Sequence, residues 1–259
     1  MTTIATWNIN SLSVRLPQVI DWLAANPVNA LCLQELKLTD DKFPVDALKE
    51  AGYHSAVFGQ KTYNGVAILS RTAPGDVIKN IVGFADEQSR VIAATLSTPQ
   101  GELRVVNGYF VNGQAPGSEK FAYKMKWLDG LNAMLKNELA THANLVLLGD
   151  FNITVDDRDT YDAVGLAETI HHTTEERQHF QGLIDLGLTD AFRMFEQAEK
   201  SYSWWDYREF AFRRNRGLLI DRILVSQALQ PRVTSCVIDK APRKNERPSD
   251  HTPVIVTLG

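Results

Sequence analysis

Four acidic residues and one histidine lie at the ends of apolar segments, where their types and positions could support hydrolytic chemistry. Glu35 follows LCLQ, Asp150 follows LVLLG, Asp221 lies within LLIDRILVS, and Asp250 and His251 precede an apolar C-terminal run. A carboxylate at the end of a buried strand is tolerated when it is paired, hydrogen-bonded or metal-bound. Any one of these acids alone would be interpreted as a helix N-cap or a turn residue. Together they predict an acidic pocket for a divalent cation at one rim of a sheet.

Three asparagines accompany the acids: Asn8 and Asn10 in ATWNIN, and Asn152 in GDFN. Carboxylates and amides with a single histidine are the ligand set of a hard cation plus a phosphate, and not of zinc or a thiol site. One candidate histidine among many acids also disfavours a serine or cysteine triad. The pattern therefore predicts metal-assisted chemistry on a phosphate.

The composition predicts one domain over residues 1–259, because 44% hydrophobic residues can form a sizeable core. A net charge of −4 argues against a protein that binds nucleic acid by bulk charge, although it allows a local basic face. Cys32 and Cys236 lie in strand-like apolar runs, which favours buried thiols in a reducing compartment over a disulfide. Neither a secretory signal nor a membrane-length apolar run is present, so we expect a cytoplasmic protein.

The hydrophobic pattern predicts the elements that must position these residues. Ten short apolar or alternating segments predict strands, at residues 4–9, 30–34, 53–58, 65–70, 91–96, 103–110, 145–148, 219–225, 233–238 and 254–258. Helical spacing appears over residues 14–25, 119–139 and 174–186. Runs of adjacent strands interrupted by long helices fit two stacked mixed sheets better than a doubly wound parallel sheet. The stretch 153–172 predicts an irregular segment beside Asp150, and loops of that length are usually functional or disordered.

Eight motifs, in order and across essentially the whole chain, resemble the exonuclease III family of DNA-repair nucleases. They are TWNINSL at 6–12, LCLQELK at 31–37, FGQKTYNGVAILS at 58–70, NGYFVNG at 107–113, LLGDFNI at 147–153, WWDYR at 204–208, NRGLLID at 215–221 and PSDHTPV at 248–254. The resemblance implies a four-layer α/β sandwich, in which two mixed β-sheets pack face to face with helices outside. It also implies a Mg²⁺-dependent phosphodiesterase, with Mn²⁺ as an alternative ion, that acts as a monomer on double-stranded DNA with nicks, 3′ ends or abasic sites.

The resemblance implies that Glu35 binds the metal, with Asn10 and Asp250 as further ligands or as partners through water. A sparse protein shell suits Mg²⁺, which keeps several waters. Asn10 could instead serve only to orient Glu35. Asp150 is expected to orient or deprotonate the attacking water, although a metal-bound water could serve as the base. The number of ions, one or two, stays open.

The remaining polar residues are expected around the phosphate. The resemblance implies that Asn152 and Asn8 hold phosphate oxygens or neighbouring groups, and that Tyr109 donates to the same phosphate. It implies that His251 contacts the phosphate while Asp221 fixes its tautomer and stabilises its cation. A strand aromatic that caps a backbone group is the alternative for Tyr109, and an anchor for the NRGL turn is the alternative for Asp221.

Basic and aromatic residues near WWDYR predict a DNA-binding rim. Two clusters could offset the acidic average charge: Arg208, Arg213, Arg214 and Arg216, and then Lys240, Arg243, Lys244 and Arg247. Charge runs are usually solvated surfaces, but the first cluster alternates with aromatics that can stack on bases while guanidinium groups hold phosphates. We expect DNA contacts from Arg213 and Arg214, and from Asn112 in NGYFVNG.

The resemblance also implies a hydrophobic pocket that receives an extruded baseless sugar, lined by Trp204 or Trp205, Leu218 and Ile220. The segment IHHTTEER at 170–177 departs from the family pattern, which commonly has small or apolar residues at the two histidine positions.

A bulky imidazole at His171 or His172 could obstruct an internal abasic nucleotide, whereas a frayed 3′ terminus could still reach the metal. Both histidines could equally face solvent on a loop. The obstruction hypothesis favours 3′–5′ exonuclease and 3′-phosphatase activity with weak abasic-site incision.

Three other functions stay open. One is a fully competent abasic-site endonuclease. A second is a phosphoesterase acting on inositol phosphates or lipids, which WWDYR, NRGLLID and the basic rim argue against. A third is a non-enzymatic DNA-binding module, which is disfavoured because every proposed site residue is retained.

Overall fold

The computed structural model describes all 259 residues and contains two six-stranded sheets. The first sheet has the order β11-β12-β1-β2-β4-β3, and the second has the order β5-β6-β7-β8-β10-β9. The strands are β1 Thr2–Asn8, β2 Ala30–Gln34, β3 His54–Phe58, β4 Val66–Ser70, β5 Gly75–Lys79, β6 Val91–Thr98, β7 Gly101–Tyr109, β8 Leu145–Asp150, β9 Leu188–Asp190, β10 Asp221–Ser226, β11 Val233–Ile238 and β12 Val254–Leu258. The helices are α1 Leu12–Ala25, α2 Val45–Glu50, α3 Glu119–Thr141 and α4 Thr174–Asp185.

Each sheet contains one parallel pair, and all its other pairs are antiparallel. The parallel pairs are β1 with β2 and β7 with β8. To add a parallel strand, the chain must return to the end of the sheet at which the first strand began, and it usually does so through a helix. Helix α1 makes this crossover in the first sheet and α3 makes it in the second. As a result, β1 and β7 end where the chain leaves for these helices, and their parallel partners β2 and β8 end at the same edges of the two sheets.

Three apolar clusters separate the chain into four layers. The central cluster lies between the sheets and includes Ile4 of the first sheet and Val146 of the second, both without exposed surface. A second cluster packs α1 and α2 on the outside of the first sheet, with Trp7 fully buried. A third packs α3 and α4 on the outside of the second sheet around Trp127 and Phe151. This arrangement confirms the predicted four-layer α/β sandwich.

All ten predicted strands are present, and three of them, β2, β11 and β12, coincide with their predicted bounds. The elements absent from the prediction are β5, β9 and α2. Strand β5 is a largely exposed edge strand, while β9 has three residues and α2 has six, so none carries a long hydrophobic period. Both cysteines are free and buried, as predicted. None of the helices has the length and apolarity that crossing a bilayer requires.

Candidate active site

In the second sheet, neighbouring strands bring three of the predicted site residues into one row. Asp150 at the end of β8 is paired in register with Tyr109 at the end of β7 and with Asp221 at the start of β10. Gly149 has φ 142°, and a Cβ there would lie 1.8 Å from the Gly108 carbonyl oxygen. The strand pair can therefore approach this closely only with glycine beside Asp150.

The first sheet presents its polar residues at the same end of the sandwich. Asn8 ends β1 and is paired with Gln34, the last residue of β2, so that Glu35 is the first residue beyond the sheet. Glu35 has a left-handed φ of 54°. Such backbone strain in a residue other than glycine is common at functional sites. His251 lies just before β12, which runs antiparallel to β1.

A buried amide joins the two sheets at this edge. Asn8 Nδ2 donates to Glu35 Oε1 and to Asp150 Oδ2, both at 2.9 Å, and the residue has no exposed surface. Both amide protons are used between the acids, so Asn8 holds neighbouring groups, which is one of the two roles expected for it. Ligand atoms of Glu35, Asp150 and His251 all lie within 4.8 Å of one another.

Asn10 and Asp250 flank Glu35 but do not join that group of three. Lys37 Nζ lies 2.9 Å from Glu35 Oε2 and 2.5 Å from Asn10 Oδ1. Asn10 Nδ2 in turn donates to Asp250 Oδ1 at 2.9 Å. Burial would raise the pKa of Asp250, but His251, Asn10 and Trp204 lower it. Oxygen ligands therefore line this side of the site, and an ammonium group contacts two of them.

His251 is held between two carboxylates. Its Nδ1 lies 2.9 Å from Asp221 Oδ2, and its Nε2 lies 3.7 Å from Asp150 Oδ2. Ser203 Oγ donates to the same Asp221 oxygen at 2.6 Å. Burial alone would lower the pKa of His251, but Asp221 and then Asp150 outweigh it and raise the pKa to about 10. The two carboxylates therefore favour the imidazolium form, with Nδ1 held by Asp221 and Nε2 facing Asp150.

Asp150 and Tyr109 are both shifted towards their protonated forms. Burial raises the pKa of Asp150 to about 7, against the opposing charge of His251. Burial, with Glu35 and Asp150 nearby, raises the pKa of Tyr109 well above its usual value. The phenol therefore stays a hydrogen-bond donor. Arg90 stacks over the Tyr109 ring with its guanidinium carbon 4.9 Å from the centroid.

Asn152, Asn112 and His171 form a third wall. His171 Nδ1 lies 2.7 Å from the Asn152 carbonyl oxygen, which makes Nδ1 the protonated nitrogen. Its Nε2 faces Asn112 Nδ2 at 3.4 Å, and Asn112 is exposed. Burial, and then Lys124, lower the pKa of His171 to about 3, so the ring is neutral. His172 points away: it is 4% exposed and its Nδ1 is bonded to the Ile170 carbonyl.

The residues predicted to line a sugar pocket lie in different environments. Trp204 Nε1 donates to Asp250 Oδ2 at 2.9 Å, and Trp204 forms backbone bridges with Leu218 and His251. Leu218 and Ile220 are 4% and 3% exposed. Trp205 has no exposed surface, because its ring packs edge-on against a neighbouring phenylalanine in a separate small cluster. Of the two tryptophans given as alternatives for this pocket, Trp204 borders the site, whereas Trp205 presents no exposed surface to DNA.

The two basic clusters also differ. Arg213 and Arg214 are exposed, and Arg213 stacks 5.8 Å from the Phe210 ring centroid. Arg243 of the second cluster is 7% exposed and donates to the Ser249 carbonyl, so it supports the loop before His251 from within. A cavity of about 660 Å³ opens beside Asn112, with Arg90 and Lys120 among its lining residues. One cationic surface, at Arg90 and Lys120, therefore borders the site at Asn112, and Arg213 and Arg214 form a second exposed basic surface.

Four residues in or around the site were not assigned by the sequence: Lys37, Ser203, Arg90 and Lys124. Lys37 lies within LCLQELK and Ser203 directly precedes WWDYR, so proximity to motifs was an available signal for both. Arg90 and Lys124 lie in segments that resemble ordinary strand and helix, and nothing in their local sequence marks them.

Comparison with known proteins agrees with this geometry. The sequence model of the family described as "Endonuclease/Exonuclease/phosphatase family" matches residues 5–251. Exodeoxyribonuclease III of Haemophilus influenzae is 37% identical, over 96% of this chain and 97% of that protein.

Two solved structures extend the similarity. The structure of the 3′ phosphatase NExo from Neisseria bound to a product DNA hairpin is 49% identical, with a TM-score of 0.97 and full coverage of both chains. An AP endonuclease from Archaeoglobus fulgidus is 33% identical, with a TM-score of 0.94 over 100% of this chain and 99% of that one. Because the sequence model of the family matches residues 5–251, which include most of β1 and all other strands except β12, the chain belongs to the endonuclease/exonuclease/phosphatase family.

Proposed function

We propose that this protein is a metal-dependent DNA-repair phosphodiesterase of exonuclease III type that acts at 3′ ends of duplex DNA. It removes 3′ nucleotides and 3′ phosphates, and it incises internal abasic sites weakly. The observation that carries the proposal is the convergence of Glu35, Asp150 and His251 within 4.8 Å at one edge of the sheets. The 49% identity to a Neisseria 3′ phosphatase supports the choice of 3′-end substrates.

The donor set fits a hard divalent cation. Glu35 and Asp250 supply carboxylate oxygens and Asn10 supplies an amide oxygen on one side of the site, while His251 Nδ1 is already bonded to Asp221. We propose Mg²⁺, with Mn²⁺ as a substitute, bound by Glu35 with Asn10 and Asp250 alongside. A bound cation of this kind polarises phosphate oxygens and lowers the pKa of bound water.

The residues of the chain supply the proton transfers and the charge. Water attacks phosphorus while Asp150, ionised above its pKa of about 7, accepts the water proton. The His251 imidazolium and the Tyr109 phenol donate to nonbridging phosphate oxygens, where charge increases in the transition state. Asn152 adds an amide beside them without adding negative charge. The bond from phosphorus to O3′ breaks, the departing oxygen takes a proton from solvent to become a 3′ hydroxyl, and Asp150 returns its proton to solvent.

Nucleotide removal, 3′-phosphate release and abasic incision all break this same bond from phosphorus to O3′. The three substrates differ only in what phosphorus carries on its other side. A 3′ phosphate carries nothing more, whereas an internal abasic site continues into a sugar and a downstream strand. Selectivity therefore depends on the space beyond the phosphate, which the His171 ring borders through its contacts with Asn152 and Asn112.

Product analysis with Mg²⁺ on two duplexes tests the proposal. One duplex carries a 3′ phosphate at a nick, and the other carries an internal abasic analogue. The unmodified protein is expected to release phosphate from the first at least about 10-fold faster than it cuts the second. A protein that acts on neither duplex, or that keeps full activity in excess EDTA, contradicts the proposal.

Replacement of His171 by glycine tests the obstruction. His171 has φ 71°, a conformation that glycine adopts without cost, so the loop should retain its path. Abasic cleavage is expected to rise at least about 10-fold relative to phosphate release. His172→Gly is the matched control, because that ring points away from the site, and its ratio should not change. An unchanged ratio in His171→Gly contradicts the obstruction.

The proposal extends to the state and place of the protein. The site takes residues from both sheets of one chain, so we propose that residues 1–259 act as one domain and as a monomer. We also propose a cytoplasmic location.

A further inference from the structure

Lys124 is a buried cation beneath the active site whose hydrogen bonds are fully used. It lies in the second turn of α3, and its side chain has no exposed surface. Its Nζ donates to the Asn152 carbonyl at 2.8 Å, to the Asn112 carbonyl at 3.2 Å and to Glu176 Oε1. An ammonium group has three protons, so each one has a partner.

Glu176, the partner of Lys124, also has no exposed surface and contacts the segment that carries His171. Its Oε2 accepts from the backbone nitrogen of Thr173 at 3.1 Å and from the Thr173 hydroxyl at 2.8 Å, closing a capping box at the start of α4. Its Oε1, which accepts from Lys124, also accepts from the His171 backbone nitrogen at 3.2 Å. One carboxylate therefore links the ammonium to the beginning of α4 and to His171.

The Asn152 carbonyl oxygen is shared by the two systems. It accepts from Lys124 Nζ and from His171 Nδ1. The ion pair consequently fixes the loop after β7, the loop after β8 and the imidazole that faces Asn112. Removing the ammonium would release two backbone carbonyls and leave the carboxylate uncompensated.

We infer that Lys124 and Glu176 are positioning residues that hold Asn152 and His171 against the phosphate, and so set the preference for a 3′ terminus over an internal site. This inference rests on the proposed function. Stabilisation of the fold alone does not explain why this ion pair is buried here, because replacing a buried ion pair by apolar residues is often neutral or stabilising. The partners of this pair are instead the main chain at the ends of two strands that form the site.

The same helix offers a matched control. Glu138 lies fourteen residues further along α3, about 21 Å at 1.5 Å per residue, and forms an ion pair with Arg104 in which the two side chains are 11% and 1% exposed. The Glu138→Gln variant weakens a largely buried ion pair between α3 and β7, far from the phosphate. Its effects therefore report what loss of such a pair does to the fold alone.

The test compares Lys124→Met with Glu138→Gln on the two duplexes, one with a 3′ phosphate at a nick and one with an internal abasic analogue. Melting temperature, kcat and KM are measured for each variant. Lys124→Met is expected to lower kcat for 3′-phosphate release at least about 10-fold with little change in KM, because Asn152 loses its anchor. The ratio of abasic cleavage to phosphate release is expected to rise at least about 10-fold, because the imidazole is no longer fixed. Glu138→Gln should leave this ratio unchanged.

If Lys124→Met does not fold, Glu176→Gln replaces it, because the amide keeps the size of the side chain and removes its charge. The same rise in the ratio is expected, with a smaller fall in kcat. If the folded variant loses kcat equally on both duplexes, as Glu138→Gln does, the inference is overturned. The Lys124–Glu176 pair then serves only the stability of the fold. The proposed function fails separately, when the unmodified protein itself acts on neither duplex.

Discussion

The charge of Asp221 should determine the pH range over which the protein is active. Asp221→Asn removes that charge and keeps an amide oxygen that can accept from His251 Nδ1, so the ring orientation is retained. The two groups are 2.9 Å apart. At an effective dielectric constant of about 20, unit charges at that distance interact by about 6 kcal/mol, or about four pKa units. The pKa of His251 should then fall from about 10 to about 6.

The direction of the pH dependence follows from which protonation state of His251 is active. We propose that the imidazolium is the active form, so activity should be lost as pH rises through the His251 pKa. In Asp221→Asn, kcat/KM at pH 8 should fall about 100-fold, since about one ring in 100 stays protonated, but only about 2-fold at pH 6. The assay is phosphate release from a nicked duplex between about pH 6 and about pH 9, with the melting temperature followed in parallel. A uniform loss across this range would refute the imidazolium role.

Three further changes test other parts of the site. Glu35→Gln should weaken Mg²⁺ binding in titration calorimetry at least about 10-fold, and unchanged affinity would exclude Glu35 as a ligand. Asp150→Asn should lower kcat about 10²- to 10⁴-fold and abolish the rise in activity that the unmodified protein shows as pH increases through about 7, the pKa of Asp150. If Asp150→Asn still showed this rise in activity with pH, the rise would have to come from another titrating group. Reversing charge at Arg213 and Arg214 together should weaken duplex binding and flatten the salt dependence of log K by about two, and an unchanged slope would place the DNA elsewhere.

The sequence predicted most of the fold because the strands are short apolar runs with clear ends. Strands β2, β11 and β12 were located to the residue, and the two crossover helices began within two residues of their predicted starts. The elements it missed, such as β5, bury little surface and so carry no hydrophobic pattern. The acids were found for the same reason: a charged residue directly after an apolar run is visible in sequence.

Several roles depended on contacts between distant segments. Asn8 was expected to hold phosphate oxygens or neighbouring groups, and only the packing shows that its amide joins Glu35 to Asp150, a residue 142 positions from Asn8. Trp205 was considered together with Trp204, yet only the latter borders the site. Adjacent residues of an extended segment point in opposite directions, and which direction faces the site depends on how that segment packs.

The residue types, their order and the strands that present them were therefore fixed by the amino-acid sequence itself. The separation of the acids, the cationic state of His251, the opposite orientations of His171 and His172, and the burial of Lys124 were decided by the packing of two sheets and two helices. The physical reason is that charge state and orientation depend on distance and on exclusion of water, and both arise only when segments far apart in the chain come together.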